Sequence, residues 1–279
     1  MRTFIFCPHF LFQNNMALIE EFDKIGNTLF NKRSYLPVFL YILTTIAIYF
    51  DRTVFIEPNN IYYAIVCILI SFFGLYIRII TIGKAQKGTS GRNVNGQVAD
   101  ALNTIGIYST VRHPLYLGNF FMWMGIVLFT ANFWLIITIA LMFWIYYERI
   151  MFAEESFLRK KFGHKYTNWA SKTPAFIPSF KNYKKNNAEF NFKDVIRREF
   201  YGFTAVAVSF AYLDFIRNYF NLNKFMINDI WLYFLTFSIV LFIVLRFLKK
   251  NTKILENNFF MFSPNAVPRL TRQIGRAHV

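Results

Sequence analysis

Two polar clusters interrupt the apolar middle of the chain, and their residue types are those of a binding site. The first is Arg112-His113-Pro114, followed by Tyr116 and Gly118. The second is Glu154-Glu155, followed by Phe162-Gly163 and then Tyr166. Proline suits the first turn of a helix, so His113 falls near the cap, with that turn's free N–H groups beside Arg112 and His113. Such an end favours a carboxylate or a phosphate. Gly118, one turn on, removes a side chain and lets a helix or a ligand approach. Glu154 and Glu155 suit an ammonium group. Tyr108, Tyr116, Tyr146, Tyr147, Tyr166 and Trp169 crowd the same ends. They can stack a purine or face a sulfonium, at about 0.5–2 kcal/mol for each well-placed cation–π contact. Carboxylate, ammonium, adenine and sulfonium together describe S-adenosylmethionine.

Plainer accounts exist for each piece. His-Pro can simply cap a helix, Glu155 can pair with Arg159 at i,i+4, and aromatic belts form at membrane interfaces without a ligand. What favours a site is that both clusters arrive at one place. The run between them is apolar and broken only near Thr130-Ala131-Asn132, which predicts a helical hairpin inside a bilayer. A helix over 114–130 would be about 25 Å long and one over 132–154 about 35 Å, at 1.5 Å per residue. Each crosses a hydrocarbon core of roughly 30 Å once, returning the acidic pair to the face where the basic pair began.

The rest of the chain supplies further spans. Apolar blocks of about 15 to 22 residues with almost no internal charge predict an all-α, multi-pass transmembrane bundle of about six spans. These are residues 35–50, 61–82, the hairpin, 200–220 and 230–248. The expected organisation is an N-terminal arm and interfacial helix over 1–34 and a membrane core over 35–199. Two additional spans over 200–250 and a polar tail over 251–279 complete it. Leu18, Phe22, Ile25 and Leu29 form the apolar stripe of that interfacial helix, opposite Glu20, Glu21 and Lys24. Met16 is the expected natural start, with residues 1–15 read-through and about 269–279 a cloning or frameshift remnant. After the hairpin, residues 153–199 should open as an amphipathic helix with Phe157, Leu158 and Phe162 on one face. Pro174 to Pro178 should then hug the interface in extended form, and 181–193 should be mobile.

The net charge of +16 could suggest nucleic acid, but its placement argues for a membrane. Of 31 Lys and Arg residues, only Arg52, Arg217 and Lys224 fall in or beside segments assigned to the outer side. That positive-inside pattern puts both termini in the cytoplasm and excludes a nucleic-acid partner as the reason for the charge. Composition rich in Phe, Asn, Ile and Lys suits an AT-rich bacterial genome, hence a bacterial cytoplasmic membrane. Cys7 and Cys67 match no metal-ligand spacing, and the histidines at 9, 113, 164 and 278 form no cluster, so no metal is expected. The loop Gly88 to Gly96 is no Walker or dinucleotide fingerprint, and reads as a flexible loop.

Taken in order, the four motifs resemble the isoprenylcysteine carboxyl methyltransferase family and its relatives, the phospholipid methyltransferases. They are Arg112-His113-Pro114-x-Tyr116-x-Gly118, Glu154-Glu155-x-x-Leu158, Phe162-Gly163-x-x-Tyr166 and Pro174-x-x-Ile177-Pro178. The similarity spans about residues 70–180. It implies an integral-membrane enzyme that takes S-adenosylmethionine from the cytosol and a lipid or lipidated acceptor from the bilayer. By motif, Arg112, His113, Pro114, Tyr116 and Gly118 would line the cofactor site, with Tyr166 among its aromatics and Glu154 and Glu155 closing it. The spans after residue 200 depart from the smallest members of that family.

Methyl transfer is an in-line displacement, so the acceptor atom must be held about 3 Å from the methyl carbon. An anionic acceptor needs no general base, only an orienting cation, and Arg78, Arg92 and Arg149 are candidates. An amine would need its proton removed, for which Glu148 or Glu155 is placed. The abundance of arginine favours an anionic head group, phosphate or carboxylate. Arg78 itself has two readings, a snorkelling arginine or an anion contact facing the bundle. Asp214 is either at the outer boundary or a polar contact within the bundle. Two other functions compete. A membrane reductase of the sterol-reductase type would bind NADPH through Lys84, Lys87 and Arg92. A transporter or scaffold would need polar residues along a path through the spans, which spans three and four hardly offer.

Overall fold

The computed structural model describes residues 17–50, 60–86, 89 and 97–255. Cys7, His9, Asp51-Arg52, Lys87, the stretch around Arg92, His278 and both expected non-native ends lie outside them. Eight α-helices run through the described residues: α1 Leu18–Lys32, α2 Leu36–Phe50, α3 Ile61–Gly83, α4 Pro114–Leu128, α5 Phe133–Phe162, α6 His164–Ala170, α7 Phe192–Leu222 and α8 Asp229–Asn251. Five helices, with α1 and α2 taken as one, are long and apolar enough to cross a membrane, and α4 is a shorter apolar helix. Large apolar side chains stand exposed along α2, α3 and α8, Ile42, Leu69 and Ile243 among them. Such a surface suits lipid, and in hydrocarbon a helix satisfies its backbone internally. The chain is an integral membrane protein with an all-helical bundle of about six spans.

The hairpin forms as the sequence dictates. Pro114 opens α4 at its first turn, and Ala131 takes a positive φ of 53° between the two arms. Asn132 then caps α5, its side chain accepting from Leu135 N at 2.9 Å. Glu154 does not end that helix. No breaker stands before Gly163, whose φ of 51° stops the helix, so span four and the expected amphipathic helix are one element of 30 residues.

Close packing fixes α3 on α4. A Cβ at Gly74 would collide with the Gly118 carbonyl, and one at Gly118 with Arg78 Cγ. Ser71 Oγ donates to the Met122 carbonyl at 3.0 Å across the same seam. Helices in lipid gain little from the hydrophobic effect between them, so small residues that let backbones approach carry much of the packing. Helices α7 and α8 close a core of Cys67, Leu75, Met122, Phe210 and Trp231, where Cys67 is the small hydrophobe its position suggests.

Three segments differ from expectation. Helix α1 does not lie alone in the interface but docks on the protruding part of α5. Gly26 meets the Arg149 carbonyl and Ala153, and Tyr146 donates to the Leu29 carbonyl at 2.8 Å. The helix that contains span five begins at Phe192, ahead of the apolar block near residue 200, because Asn191 caps it and accepts from Asp194 N at 3.0 Å. Residues 181–191 are pinned rather than loose: Gly106 N donates to the Lys184 carbonyl at 2.7 Å, and Asn191 N to the Gly83 carbonyl at 2.8 Å. Asp214 resolves in favour of a bundle contact. It is buried beside the α7–α8 turn and accepts from Asn228 N and Nδ2 at 2.7 and 2.8 Å.

Candidate functional site

The two arms of the hairpin meet at their open ends. His113 Nε2 lies 2.9 Å from Glu155 Oε1, and its Nδ1 lies 3.6 Å from Glu154 Oε2. Tyr116, one turn into α4, donates to Glu154 Oε2 at 3.0 Å. Arg112 Nε is 3.0 Å from Glu155 Oε1, near enough to pair although its N–H is not aimed at the carboxylate. Its Nη1 donates to the Ala170 carbonyl at 3.1 Å. The opposite charges of the two motifs therefore neutralise each other across the mouth.

The Pro174 to Pro178 segment positions this corner from behind. Arg112 N donates to the Pro174 carbonyl at 2.9 Å and His113 N to that of Ala175 at 3.2 Å. Ser179 N reaches the Thr110 carbonyl at 2.9 Å. The segment is bent at Ala175, Phe176 and Ile177 rather than extended throughout, and it pairs with the loop before α4.

Burial and charge tune the groups outside the spans. Burial alone would keep His113 neutral, but its hydrogen bonds to Glu154 and Glu155, and their charge, outweigh it. The imidazole is held above its ordinary pKa. Burial pushes the Tyr108 phenol up, reinforced by the charge of Glu154 and opposed by a hydrogen bond with Asn103. Tyr166 is fully buried, and burial together with the neighbouring Glu155 raises it likewise.

Beside the corner is a cavity of about 400 Å³, a size that suits a small-molecule ligand. Of the sequence-derived cofactor residues, Arg112, His113, Pro114, Tyr116, Glu154 and Tyr166 line it. Gly118 and Glu155 do not. Gly118 instead lets Arg78 cross α4, and Glu155 backs His113 and Arg112. Tyr108 and Trp169 also line the cavity, tied by a bond from Trp169 Nε1 to the Tyr108 carbonyl at 3.0 Å. Tyr146 and Tyr147 stand away from its wall: Tyr146 holds α1, and Tyr147 stacks on Phe143 at 4.2 Å.

The candidate orienting groups separate clearly. Arg78 lines the cavity and pairs with Glu199 on α7. Arg149 sits with its guanidinium 3.4 Å over the Phe22 ring, between α1 and α5, and Glu148 is exposed. Arg92 and Lys87 lie outside the described residues, and Lys84 donates to the Asn186 carbonyl at 3.2 Å away from this cavity. Among the described residues no group of three His, Cys, Asp or Glu side chains could hold a metal.

Sequence reasoning missed several contributors. Arg33 and Asn31 reach the cavity from the junction of α1 and α2, Asn119 from α4 and Asn103 from the preceding loop. Asn119, a lone amide one turn beyond Tyr116 in an apolar span, carried a readable signal. Arg33 carried none, since its place depends on how α1 docks.

The part of the chain that holds the hairpin is also similar to known proteins. The family model described as phospholipid methyltransferase matches residues 59–165. A protein-S-isoprenylcysteine O-methyltransferase of Schizosaccharomyces pombe is 37% identical over 107 residues, 38% of this chain and 45% of that protein. The one from Tribolium castaneum is 29% identical over 123 residues, 41% of this chain and 44% of its own length. A nickel-cobalt-cadmium resistance protein, NccN, of Alcaligenes xylosoxydans xylosoxydans is 34% identical over 85 residues, 30% of this chain and 39% of the relative. The chain spans less than half the length of each of these relatives. No solved structure matches it. Residues 59–165, which match the phospholipid methyltransferase model, include both arms of the hairpin as far as Tyr166's neighbour, and the chain is similar over part of its length to the isoprenylcysteine O-methyltransferases.

Proposed function

We propose that this protein is an integral-membrane methyltransferase that uses S-adenosylmethionine to methylate the polar group of a lipid or lipidated acceptor. The observation that carries the reading is the cavity at the joined ends of the hairpin. Three guanidinium groups, Arg33, Arg78 and Arg112, line it with one carboxylate, Glu154. That donor set fits the methyl donor. Arg112 and Arg33 suit its carboxylate, Glu154 its ammonium, and Tyr108, Tyr116 and Trp169 its adenine and sulfonium. Bound there, the donor would supply an electrophilic methyl carbon. The chain's own residues would bind and orient: His113 and Tyr116 hold Glu154 in place, and Glu155 holds His113 and Arg112.

The same wall favours an anionic acceptor, phosphate or carboxylate. Carboxylates able to take a proton from an amine are scarce at the cavity. Glu148 is exposed away from it, Glu155 is engaged by His113 and Arg112, and Glu154 accepts from Tyr116. An anionic oxygen needs no base, only a fixed cation. Relatives named O-methyltransferases point to oxygen as well. The positive-inside pattern supports a cytoplasmic mouth and cytoplasmic termini, and the composition supports a bacterial membrane. Methyl-labelled S-adenosylmethionine supplied to membranes containing the protein should label a lipid fraction, and Glu154→Gln should abolish that label. Label equal to that in empty membranes, across lipids of several sources and with the protein shown not to bind the donor, would reject the reading.

A further inference from the structure

Arg78 stands near the inner end of α3 with its stem crossing α4 at Gly118, where no side chain blocks it. Its guanidinium meets Glu199 in a parallel pair of bonds, Nε to Oε2 and Nη2 to Oε1, both 2.7 Å. Nη1 donates to Asn119 Oδ1 at 2.6 Å, and Asn119 Nδ2 donates to the Tyr147 hydroxyl at 3.2 Å. One polar layer therefore joins α7, α3, α4 and α5. Glu199 is almost fully buried, at 4% exposure, and Arg78 is 15% exposed at the cavity wall.

Helix α7 is set for this contact. Asn191 N is bonded to the carbonyl of Gly83, the last residue of α3, so α7 starts where α3 ends and the two run antiparallel. Arg78 is about one and a half turns before that tether and Glu199 about two turns after it. Long side chains span the difference. Glu199 lies beyond residues 59–165, so it belongs to the part of the chain that the family model does not cover.

A buried ion pair is a poor stabiliser, since well-packed apolar residues in its place are often as stable or more so. Its value here lies in geometry. A guanidinium has five N–H donors in a fixed plane, and Glu199 and Asn119 engage three of them. We propose that Glu199 is a positioning residue: it fixes Arg78 at the cavity wall so that the two remaining donors receive an anionic oxygen of the methyl acceptor. Helix α7 thereby takes part in acceptor choice. The proposal rests on the methyltransferase reading with an anionic acceptor.

The test uses the full chain in nanodiscs. Binding of S-adenosylmethionine is measured by calorimetry. Without donor, binding is then measured for two probes, N-acetyl-S-farnesyl-L-cysteine as a carboxylate and phosphatidic acid as a phosphate. Glu199→Gln should weaken the bound probe at least tenfold and lower kcat/KM for it, with donor affinity changed less than twofold. Glu199→Asp should recover part of the loss. Wild-type probe affinity in Glu199→Gln overturns the proposal. Should that variant fold poorly, the double replacement Arg78→Met with Glu199→Leu decides. Restored thermal stability with probe binding still lost supports positioning, and restored binding shows the pair to be structural only. A wild-type protein that binds donor but neither probe rejects the anionic acceptor. One that binds no donor rejects the methyltransferase reading itself.

Discussion

His113 Nε2 sits 2.9 Å from Glu155 Oε1, and this contact ties the cap of α4 to α5 about two turns before that helix ends. Between them lies a turn at the far end of both helices, so the contact closes a loop of two membrane crossings. The pair is charge-assisted when the imidazole is protonated, and charge-assisted bonds are roughly twice as strong as neutral ones.

The pH dependence follows from the raised pKa of His113. A group whose folded pKa lies above its unfolded value stabilises fully below the unfolded value, here near 6.5, and loses that contribution as pH rises through the folded one. The detergent-solubilised protein should therefore melt at a lower temperature at pH 9 than at pH 6. His113→Gln should flatten that profile. A wild-type profile no steeper than the variant's would remove the imidazolium from the account.

At Glu154 the expected effect is on donor affinity. Losing a hydrogen bond to a charged group costs about 1.5–3 kcal/mol, so Glu154→Gln should weaken S-adenosylmethionine about 10- to 150-fold. Tyr116→Phe removes only the bond that steadies Glu154, and should weaken it by less. Calorimetric titration of both variants checks the order, and a larger loss in Tyr116→Phe would contradict it.

Gly118→Ala tests the seam between α3 and α4. The new methyl group would meet Arg78 Cγ and the Gly74 carbonyl, so the arginine stem must leave its place and the backbone carbonyl cannot withdraw without moving a helix. Overpacking of this kind costs about 1–3 kcal/mol. The expected outcome is a lower melting temperature together with weaker binding of an anionic acceptor probe. An unchanged melting temperature would mean the helices lie further apart than described.

Arg149 serves as the contrast. Its guanidinium covers Phe22 and so helps fasten α1 to α5, at about 0.5–2 kcal/mol for such a contact. Arg149→Ala should lower thermal stability modestly and leave donor affinity within twofold. A tenfold loss of donor binding would return Arg149 to the site.

The hairpin and its mouth were legible in the sequence because they are written in short, chemically distinctive motifs at the ends of uninterrupted apolar runs. Arg112, His113, Tyr116, Glu154 and Tyr166 all meet around one cavity. What stayed hidden depends on packing between distant segments. Glu199 follows Arg197-Arg198 in the charged first turns of α7, 121 positions beyond its partner Arg78, and no local pattern marks the pair. The stripe of α1 fits lipid or protein equally well, and only Gly26, pressed on the Arg149 carbonyl, hints at protein. Helix ends moved where capping decided them. Asn191 starts α7 early, and the lack of a breaker carries α5 on to Gly163.

The most direct measurement of the central claim is ligand choice by the purified protein in nanodiscs, S-adenosylmethionine against NADPH, in wild type and Glu154→Gln. The account predicts saturable binding of S-adenosylmethionine that Glu154→Gln weakens at least tenfold, with no binding of NADPH. Saturable NADPH binding without S-adenosylmethionine binding would contradict it and make the cavity that of a reductase.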